Sequence, residues 1–284
     1  MYFFDFLFGL CYNTHVRNDK KGTRRPTRAS VRCDTSMFAE NVLLVLEIIG
    51  TIAFAVSGAF VAIKANLDIF GVIFIGVVTA VGGGMTRDIL IGAVPPAIFS
   101  NLYILLVAAV TSATVFVIAY LKRKQFDALR EKISRINTYF DAIGLAAFSV
   151  MGTELAFVKG LSANPVLAIV LGMLTGVGGG IFRDILTNNT PYIFKKHVYA
   201  LASIGGAGVY YVLRAFTAGT LIPSVISMLF IVGIRLLAAK YRWSLPKVHL
   251  GESDPPLPSL QSAPLENGAE RQSKQSDFEN KQAS

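Results

Sequence analysis

The chain alternates between long apolar runs and shorter polar segments. Seven runs reach the length of about 20 residues that a helix needs to cross a hydrocarbon core of roughly 30 Å. They lie at residues 42–63, 69–92, 97–121, 140–158, 165–186, 198–216 and 221–239. Apolar residues make up 53% of the 284 positions and charged residues only 16%, which lies outside the range of soluble domains. The pattern predicts an all-α integral membrane protein with seven transmembrane helices.

The apolar body contains an internal repeat. The sequence VGGGMTRDIL at residues 81–90 recurs as VGGGIFRDIL at residues 177–186, with eight of ten positions identical. Upstream, FAVSG at residues 54–58 matches FSVMG at residues 148–152. Each copy holds three spans, and an odd number forces the second copy to enter the bilayer from the other side. We therefore predict two inverted three-helix repeats followed by one extra C-terminal helix.

The distribution of Lys and Arg predicts the orientation. One set of loops carries twelve basic residues, whereas the opposite set, apart from residues 1–36, carries only Lys159 and Arg214. Basic residues concentrate in cytoplasmic loops. We expect a multi-pass protein of the plasma (inner) membrane with a cytoplasmic C-terminus and the start of the first span outside. The net charge of +9 belongs to these loops, so nucleic-acid binding is not indicated.

These features divide the chain into six parts. They are a polar basic extension (1–36), repeat 1 (37–121), a basic cytoplasmic linker (122–136), repeat 2 (137–217), the seventh helix (218–246) and a tail (247–284). The tail is rich in Pro, Ser, Glu and Gln, so we expect it to be disordered. The extension holds seven basic residues that the predicted orientation would translocate. We therefore hypothesise that Met37 is the true start and that the extension is absent from the mature protein.

Each repeat carries three consecutive glycines inside an apolar span. Glycine costs about 1 kcal/mol relative to Ala within a helix, so both triples are expected to weaken or break their helices. Irregular backbone at membrane depth is allowed where it lines a cavity, which favours a polar path. The alternative is close helix packing through small residues, for which Gly176 and Gly180 have suitable spacing. The candidate pore residues are Gly82, Gly83, Gly84, Gly178, Gly179 and Gly180.

Several ionisable side chains lie within or near the spans. A charge at membrane depth costs roughly 2.5–3.5 kcal/mol unless it is paired or hydrated. Adjacent helical residues point about 100° apart, so we expect Arg87 to pair with a carboxylate on another span instead of Asp88. Glu47, Asp141 and Glu154 are expected to attract cations or carry protons, or alternatively to form orienting ion pairs. For the Arg-Asp pairs the alternative is interfacial helix capping, and Ser57 is a candidate pore-lining hydroxyl. The predicted charge network comprises Glu47, Arg87, Asp88, Asp141, Glu154, Arg183 and Asp184.

Catalytic motifs are absent from the sequence. There is no GxSxG, HExxH or GxxxxGK[ST] pattern, and the histidines lie in tails or at loop edges. The two cysteines lie in the N-terminal extension and cannot form a metal site in the apolar body. We expect neither an enzyme nor a cofactor or metal site.

The sequences GGGMTRDIL and GGGIFRDIL on the second and fifth spans, FDAIGLAAFSVMG on the fourth, and the seventh helix resemble a known family. This is the bacterial glycine-transporter-domain family related to trimeric intracellular cation (TRIC) channels, and the resemblance covers residues 38–246. It implies a homotrimer with a hydrated pore in each protomer, kinked at the glycines of helices 2 and 5. Potassium-type monovalent cations are the implied permeants, although the family also carries the label of glycine uptake.

Three functions follow from these observations. The first is a channel for a monovalent cation in membrane lipid, in which acidic residues concentrate cations and carbonyl or hydroxyl oxygens replace hydration water. The second is a transporter of glycine or a small amino acid, in which a helix N-terminus binds the substrate carboxylate. The third is a structural membrane protein whose glycines serve packing alone.

Overall fold

The computed structural model describes residues 28–122, 130–191, 193, 198–217, 219–241 and 243, with side chains omitted at 28–40 and 130–131. Within these residues the fold is all-helical. One short 3₁₀-helix (Ala97–Phe99) lies between the second and third α-helices. The α-helices are α1 (Arg28–Lys64), α2 (Ile69–Leu90), α3 (Leu102–Leu121), α4 (Arg130–Val158), α5 (Pro165–Leu186), α6 (Val198–Phe216) and α7 (Leu221–Lys240).

Six of these seven helices are long and apolar enough to cross a membrane. The exception is α6, whose 19 residues include three glycines, three tyrosines and Arg214, which lower its mean hydropathy. The prediction of an all-α integral membrane protein is confirmed.

The helix bounds differ from the apolar runs mainly at N-termini. α1 and α4 begin at Arg28 and Arg130, well before their apolar runs, so the linker predicted at 122–136 is partly helical. Charged residues continue a helix readily outside the lipid, whereas counting apolar residues finds only the embedded part. α3 begins at Leu102 because two prolines and the 3₁₀-helix precede it. The predicted tail and residues 1–27 lie outside the described residues.

Equivalent positions of the two repeats begin and end their helices in the same way. Asp68 caps α2 by accepting a hydrogen bond from the backbone N–H of Gly71 (2.7 Å). Its counterpart Asn164 caps α5 through Leu167 (3.1 Å). These side chains satisfy backbone donors that the first helical turn leaves unpaired. The repeat in sequence therefore specifies the same local structure twice.

The residues that end the helices are also equivalent. Asn66 and Gly160, after α1 and α4, have φ of 57° and 71°. Gly92 and Asn188, after α2 and α5, have φ of 72° and 52°. Glycine and asparagine tolerate this left-handed conformation and commonly follow a helix C-terminus.

The helices pack as two three-helix groups, α1–α3 and α4–α6, with α7 against α4 and α6. Between the groups, α1 contacts α4 and α2 contacts α5. The α1–α4 contact is reciprocal. Phe54 and its counterpart Phe148 are in contact, with ring centroids 5.3 Å apart and ring planes tilted by 36°. Each ring fills the space beside a glycine of the other helix, Gly144 and Gly50 respectively.

Candidate functional site

The glycine triples lie where α2 crosses α5. Both helices continue through the triples without interruption. A Cβ on Gly83 would collide with the backbone carbonyl of Thr175, and a Cβ on Gly179 would collide with that of Thr79. The prediction that the triples break these helices is wrong. Two buried helices approach so closely here that the central glycine is needed for packing.

The third glycine of each triple lies beside a cluster of charged side chains. A Cβ on Gly84 would lie 3.7 Å from Nη2 of Arg87, and one on Gly180 would lie 3.0 Å from the Tyr199 hydroxyl. We call the neighbouring groups the first cluster, formed by Glu47, Arg87, Asp88 and Tyr103, and the second cluster, formed by Asp141, Arg183, Asp184, Tyr199 and Arg235.

The second cluster is almost completely buried and joins four helices. Nη1 of Arg183 on α5 donates to Asp141 on α4 (2.9 Å) and to Ser57 on α1 (2.7 Å), while its Nε donates to Asp184 (2.8 Å). Arg235 on α7 donates to the other oxygen of Asp141 (3.2 Å). Two arginines therefore balance two carboxylates, as buried charges require.

Tyr199 and Arg235 complete this cluster. The guanidinium of Arg235 stacks over the ring of Tyr199, with its carbon 4.5 Å from the ring centroid. Within the described residues, neither the Tyr199 hydroxyl nor Nε of Arg235 has a hydrogen-bond partner. Stacking of a desolvated guanidinium on an aromatic ring is favourable and fixes the position of Arg235.

The first cluster has fewer partners. Arg87 donates to Asp88 through Nε (2.9 Å) and Nη2 (2.8 Å), and Asp88 also accepts from the backbone N–H of Ala97 (3.0 Å). Glu47, the counterpart of Asp141, accepts from the Tyr103 hydroxyl (3.1 Å). A pocket of about 40 Å³ lies beside these groups. The first cluster therefore carries two carboxylates and one arginine.

The predicted pairing of Arg87 is wrong, since its partner is Asp88 and not a carboxylate of another span. The long arginine side chain reaches the adjacent carboxylate despite the angular separation of neighbouring helical residues. Arg183 also binds its neighbour Asp184, but pairs in addition with Asp141 across the helix contact. The interhelical carboxylate that was predicted for Arg87 is therefore found at its counterpart, Arg183.

Glu154 lies apart from both clusters. It is 1% exposed and accepts hydrogen bonds from Tyr210 (2.9 Å) and from Nε of Arg214 (3.1 Å), both on α6. Its counterpart in repeat 1 is Phe60, so this contact exists in one repeat only. Of the two interpretations considered for Glu154, the geometry favours an orienting ion pair that ties α4 to α6.

Sequence reasoning missed the partners supplied by other helices. Arg235 is the one charged residue within the seventh predicted run, at residues 221–239, and a lone arginine in an apolar span is itself a signal of a buried partner. Tyr103 and Tyr199 are equivalent residues of the repeat that lie beside its carboxylates. Their roles depend on helix packing, which the repeat pattern alone does not provide.

Comparison with known proteins identifies the family. A family model described as glycine transporter matches residues 44–120 and 138–215, one segment in each repeat. The UPF0126 inner membrane protein YadS of Escherichia coli (strain K12) is 37% identical over 212 residues, 73% of this chain and 97% of YadS. The UPF0126 membrane protein YvgT of Bacillus subtilis (strain 168) is 35% identical over 202 residues, 71% of this chain and 94% of YvgT.

Solved structures agree with this assignment. A prokaryotic TRIC channel crystallised in 0.5 M KCl superposes with a TM-score of 0.64 and 34% identity, covering 72% of this chain and 100% of that channel. The TRIC orthologue from Rhodobacter sphaeroides gives 0.63 and 30% identity over 71% and 99%. Since the matches extend through both repeats, the chain belongs to the glycine-transporter family of bacterial membrane proteins related to the TRIC channels.

Proposed function

We propose that the protein is a channel for monovalent, potassium-type cations. The observation that carries this proposal is the similarity to TRIC cation channels at 30–34% identity, which extends over nearly the whole length of those channels. Intramembrane carboxylates support it, because a negative charge in a region of low dielectric raises the local concentration of cations.

The path proposed for the ion passes beside the crossing of α2 and α5, where the third glycines of the triples, Gly84 and Gly180, face the charge clusters. The first cluster lies on one side of this crossing, and the second cluster, with Ser57, lies on the other. In an inverted repeat, equivalent clusters face opposite membrane surfaces. The reciprocal contacts of Gly83 with Thr175 and of Gly179 with Thr79 are consistent with such a relation between α2 and α5.

We further propose that α6 spans the membrane together with the six more apolar helices and that α7 is the addition to the two repeats. The C-terminus would then be cytoplasmic, and a homotrimer would contain one path in each protomer, as the name of the TRIC channels implies for those proteins. The E. coli relative is named an inner membrane protein, which supports the same location here. Native mass spectrometry in detergent would measure the subunit number.

Flux through proteoliposomes of the purified protein tests the proposal. A potassium current that does not depend on glycine, and that is absent from protein-free liposomes, is the expected result. Saturable glycine counterflow without potassium current would replace the channel by a glycine carrier, which the description of the family model favours. Absence of both activities would favour a structural role, to which the close packing at Gly83 and Gly179 would then be assigned.

A further inference from the structure

The two charge clusters occupy equivalent positions in the repeats but differ in their balance of charge. In the second cluster, Asp141 is bound by both Arg183 and Arg235. In the first cluster, Arg87 lies within ion-pair distance of Asp88 and not of Glu47, and the described residues place no other basic group against Glu47. The first cluster therefore has one carboxylate more than it has cations.

The missing charge has a structural cause. Arg235 comes from α7, which packs on the second three-helix group, and none of the described helices takes an equivalent position beside the first. The presence of Arg235 in one cluster only is accompanied by different contacts of the two equivalent tyrosines. Tyr103 donates to Glu47, whereas its counterpart Tyr199 lies beneath the guanidinium of Arg235 and donates to no described residue.

A pocket lies beside Glu47, which has no ion-pair partner among the described residues. Its lining includes Glu47, Thr51 and Asp88, together with Arg87, which is paired with Asp88, and its volume is about 40 Å³. A cavity needs about 10–15 Å³ to hold one water-sized particle, so the pocket accommodates a small cation with one or two waters. Thr51 is completely buried, and its hydroxyl has no hydrogen-bond partner among the described residues. A buried hydroxyl oxygen without a protein partner is available to a water or an ion in the pocket.

We propose that this pocket, on the Glu47 side of repeat 1, binds a monovalent cation, which takes the place that the Arg235 guanidinium occupies in repeat 2. The carboxylate of Glu47 and the hydroxyl of Thr51 supply oxygen ligands, which alkali cations prefer. A single positive charge neutralises the single excess carboxylate, whereas a divalent ion would leave an excess positive charge in the membrane. This inference deepens the proposed channel function by assigning one cation site to repeat 1 and none to the equivalent position of repeat 2.

Equilibrium binding of ⁸⁶Rb⁺ to the purified full-length protein in detergent tests the site independently of conduction. The wild type is expected to bind one rubidium ion per chain at this site, and potassium is expected to compete. Glu47→Gln keeps an acceptor for Tyr103 and should weaken rubidium binding at least about tenfold, because a charged ligand is lost. Thr51→Val should weaken it about threefold, the effect of one neutral ligand.

Two further variants test whether rubidium binding depends on the charge within this pocket. Met151 lines the same pocket, and Met151→Lys places a tethered ammonium there, which should displace rubidium as Arg235 does in repeat 2. Glu154→Gln is the matched control, since that carboxylate already has Arg214 as its partner and its loss should leave rubidium affinity unchanged. Size-exclusion profiles and circular dichroism establish that each variant is folded.

The outcomes separate this site from the channel proposal. Unchanged rubidium affinity in folded Glu47→Gln and Met151→Lys overturns the site, even if the wild type conducts potassium. Binding that depends on Glu47 in a protein without potassium flux supports the site and overturns the channel. Absence of specific rubidium binding in the wild type also overturns the site, because Glu47 would then be neutralised by a proton.

Discussion

The three glycines of each triple have different surroundings, although the residues are chemically identical. Gly83 and Gly179 each face a backbone carbonyl of the opposite helix, and neither can accept a methyl group without moving α2 from α5. Gly84 faces the side of Arg87, and a Cβ there would contact only the end of a flexible side chain. The unfavourable helix propensity of glycine is therefore offset by close packing at Gly83 and Gly179, whereas packing does not explain the glycine at position 84.

Substitution by alanine distinguishes these positions. Gly83→Ala and Gly179→Ala should each reduce the free energy of unfolding by about 1–3 kcal/mol, the usual cost of overpacking a tight contact. Gly84→Ala is the matched control and should be neutral or slightly stabilising, because alanine favours the helix. Thermal unfolding followed by size-exclusion fluorescence in detergent would measure the effects, and a similar loss of stability in all three variants would contradict this assignment.

The helix α7 gives the second repeat a buried ion pair that the described residues do not provide in the first repeat. It contributes Arg235, which meets Asp141 of α4 on the side opposite Arg183 of α5. One carboxylate thus holds three helices together within a buried region, where electrostatic interactions are strong and unpaired charges are costly. In the first repeat the equivalent carboxylate, Glu47, accepts a hydrogen bond from the Tyr103 hydroxyl, and the described residues supply no ion-pair partner for it.

Removal of the negative charge of Asp141 should therefore destabilise the protein strongly. Asp141→Asn removes the carboxylate that Arg183 and Arg235 share, and we expect a loss of about 3–5 kcal/mol, typical of a broken buried ion pair. Asp68→Asn provides the control, because Asp68 is exposed and asparagine also caps helices well. Denaturation in detergent would compare the two variants; equal stability would show that the second cluster does not hold α4, α5 and α7 together.

For the whole molecule, the two repeats contact one another through equivalent residues. Phe54 with Phe148 joins α1 to α4, and the glycine contacts join α2 to α5. Such reciprocity is what a two-fold relation between the repeats requires. The orientation predicted from the basic residues places the loop after α4 outside and the loop after α3 in the cytoplasm.

Cysteine labelling would test this orientation in intact cells. In a background where Cys11 and Cys33 are replaced by serine, we expect a membrane-impermeant maleimide to label Lys159→Cys and not Lys122→Cys. Both positions are exposed at the ends of helices, so each serves as the control for the other. Inverted membrane vesicles should give the opposite pattern. Labelling of Lys122→Cys from outside intact cells would refute the predicted orientation.

Much of the architecture was predictable from the chain because the relevant signals are local. Apolar runs of membrane-spanning length predicted all seven helices, and two of them, 165–186 and 198–216, match α5 and α6 in their bounds. The duplicated motif predicted two similar units, and helix caps at Asp68 and Asn164 repeat with it. Lipid imposes these local signals, since every backbone group within it must find a partner inside its own helix.

The partners of the charged side chains were decided only by tertiary packing. Position in a span identified Glu47, Asp141 and Arg183 as candidates, but nothing local shows that α7 brings Arg235 to one repeat and leaves the other without it. Likewise, a glycine triple has the same sequence whether it breaks a helix or admits a neighbouring backbone. The choice depends on the rotation and proximity of helices distant in the chain, and these follow from the packing of the whole bundle.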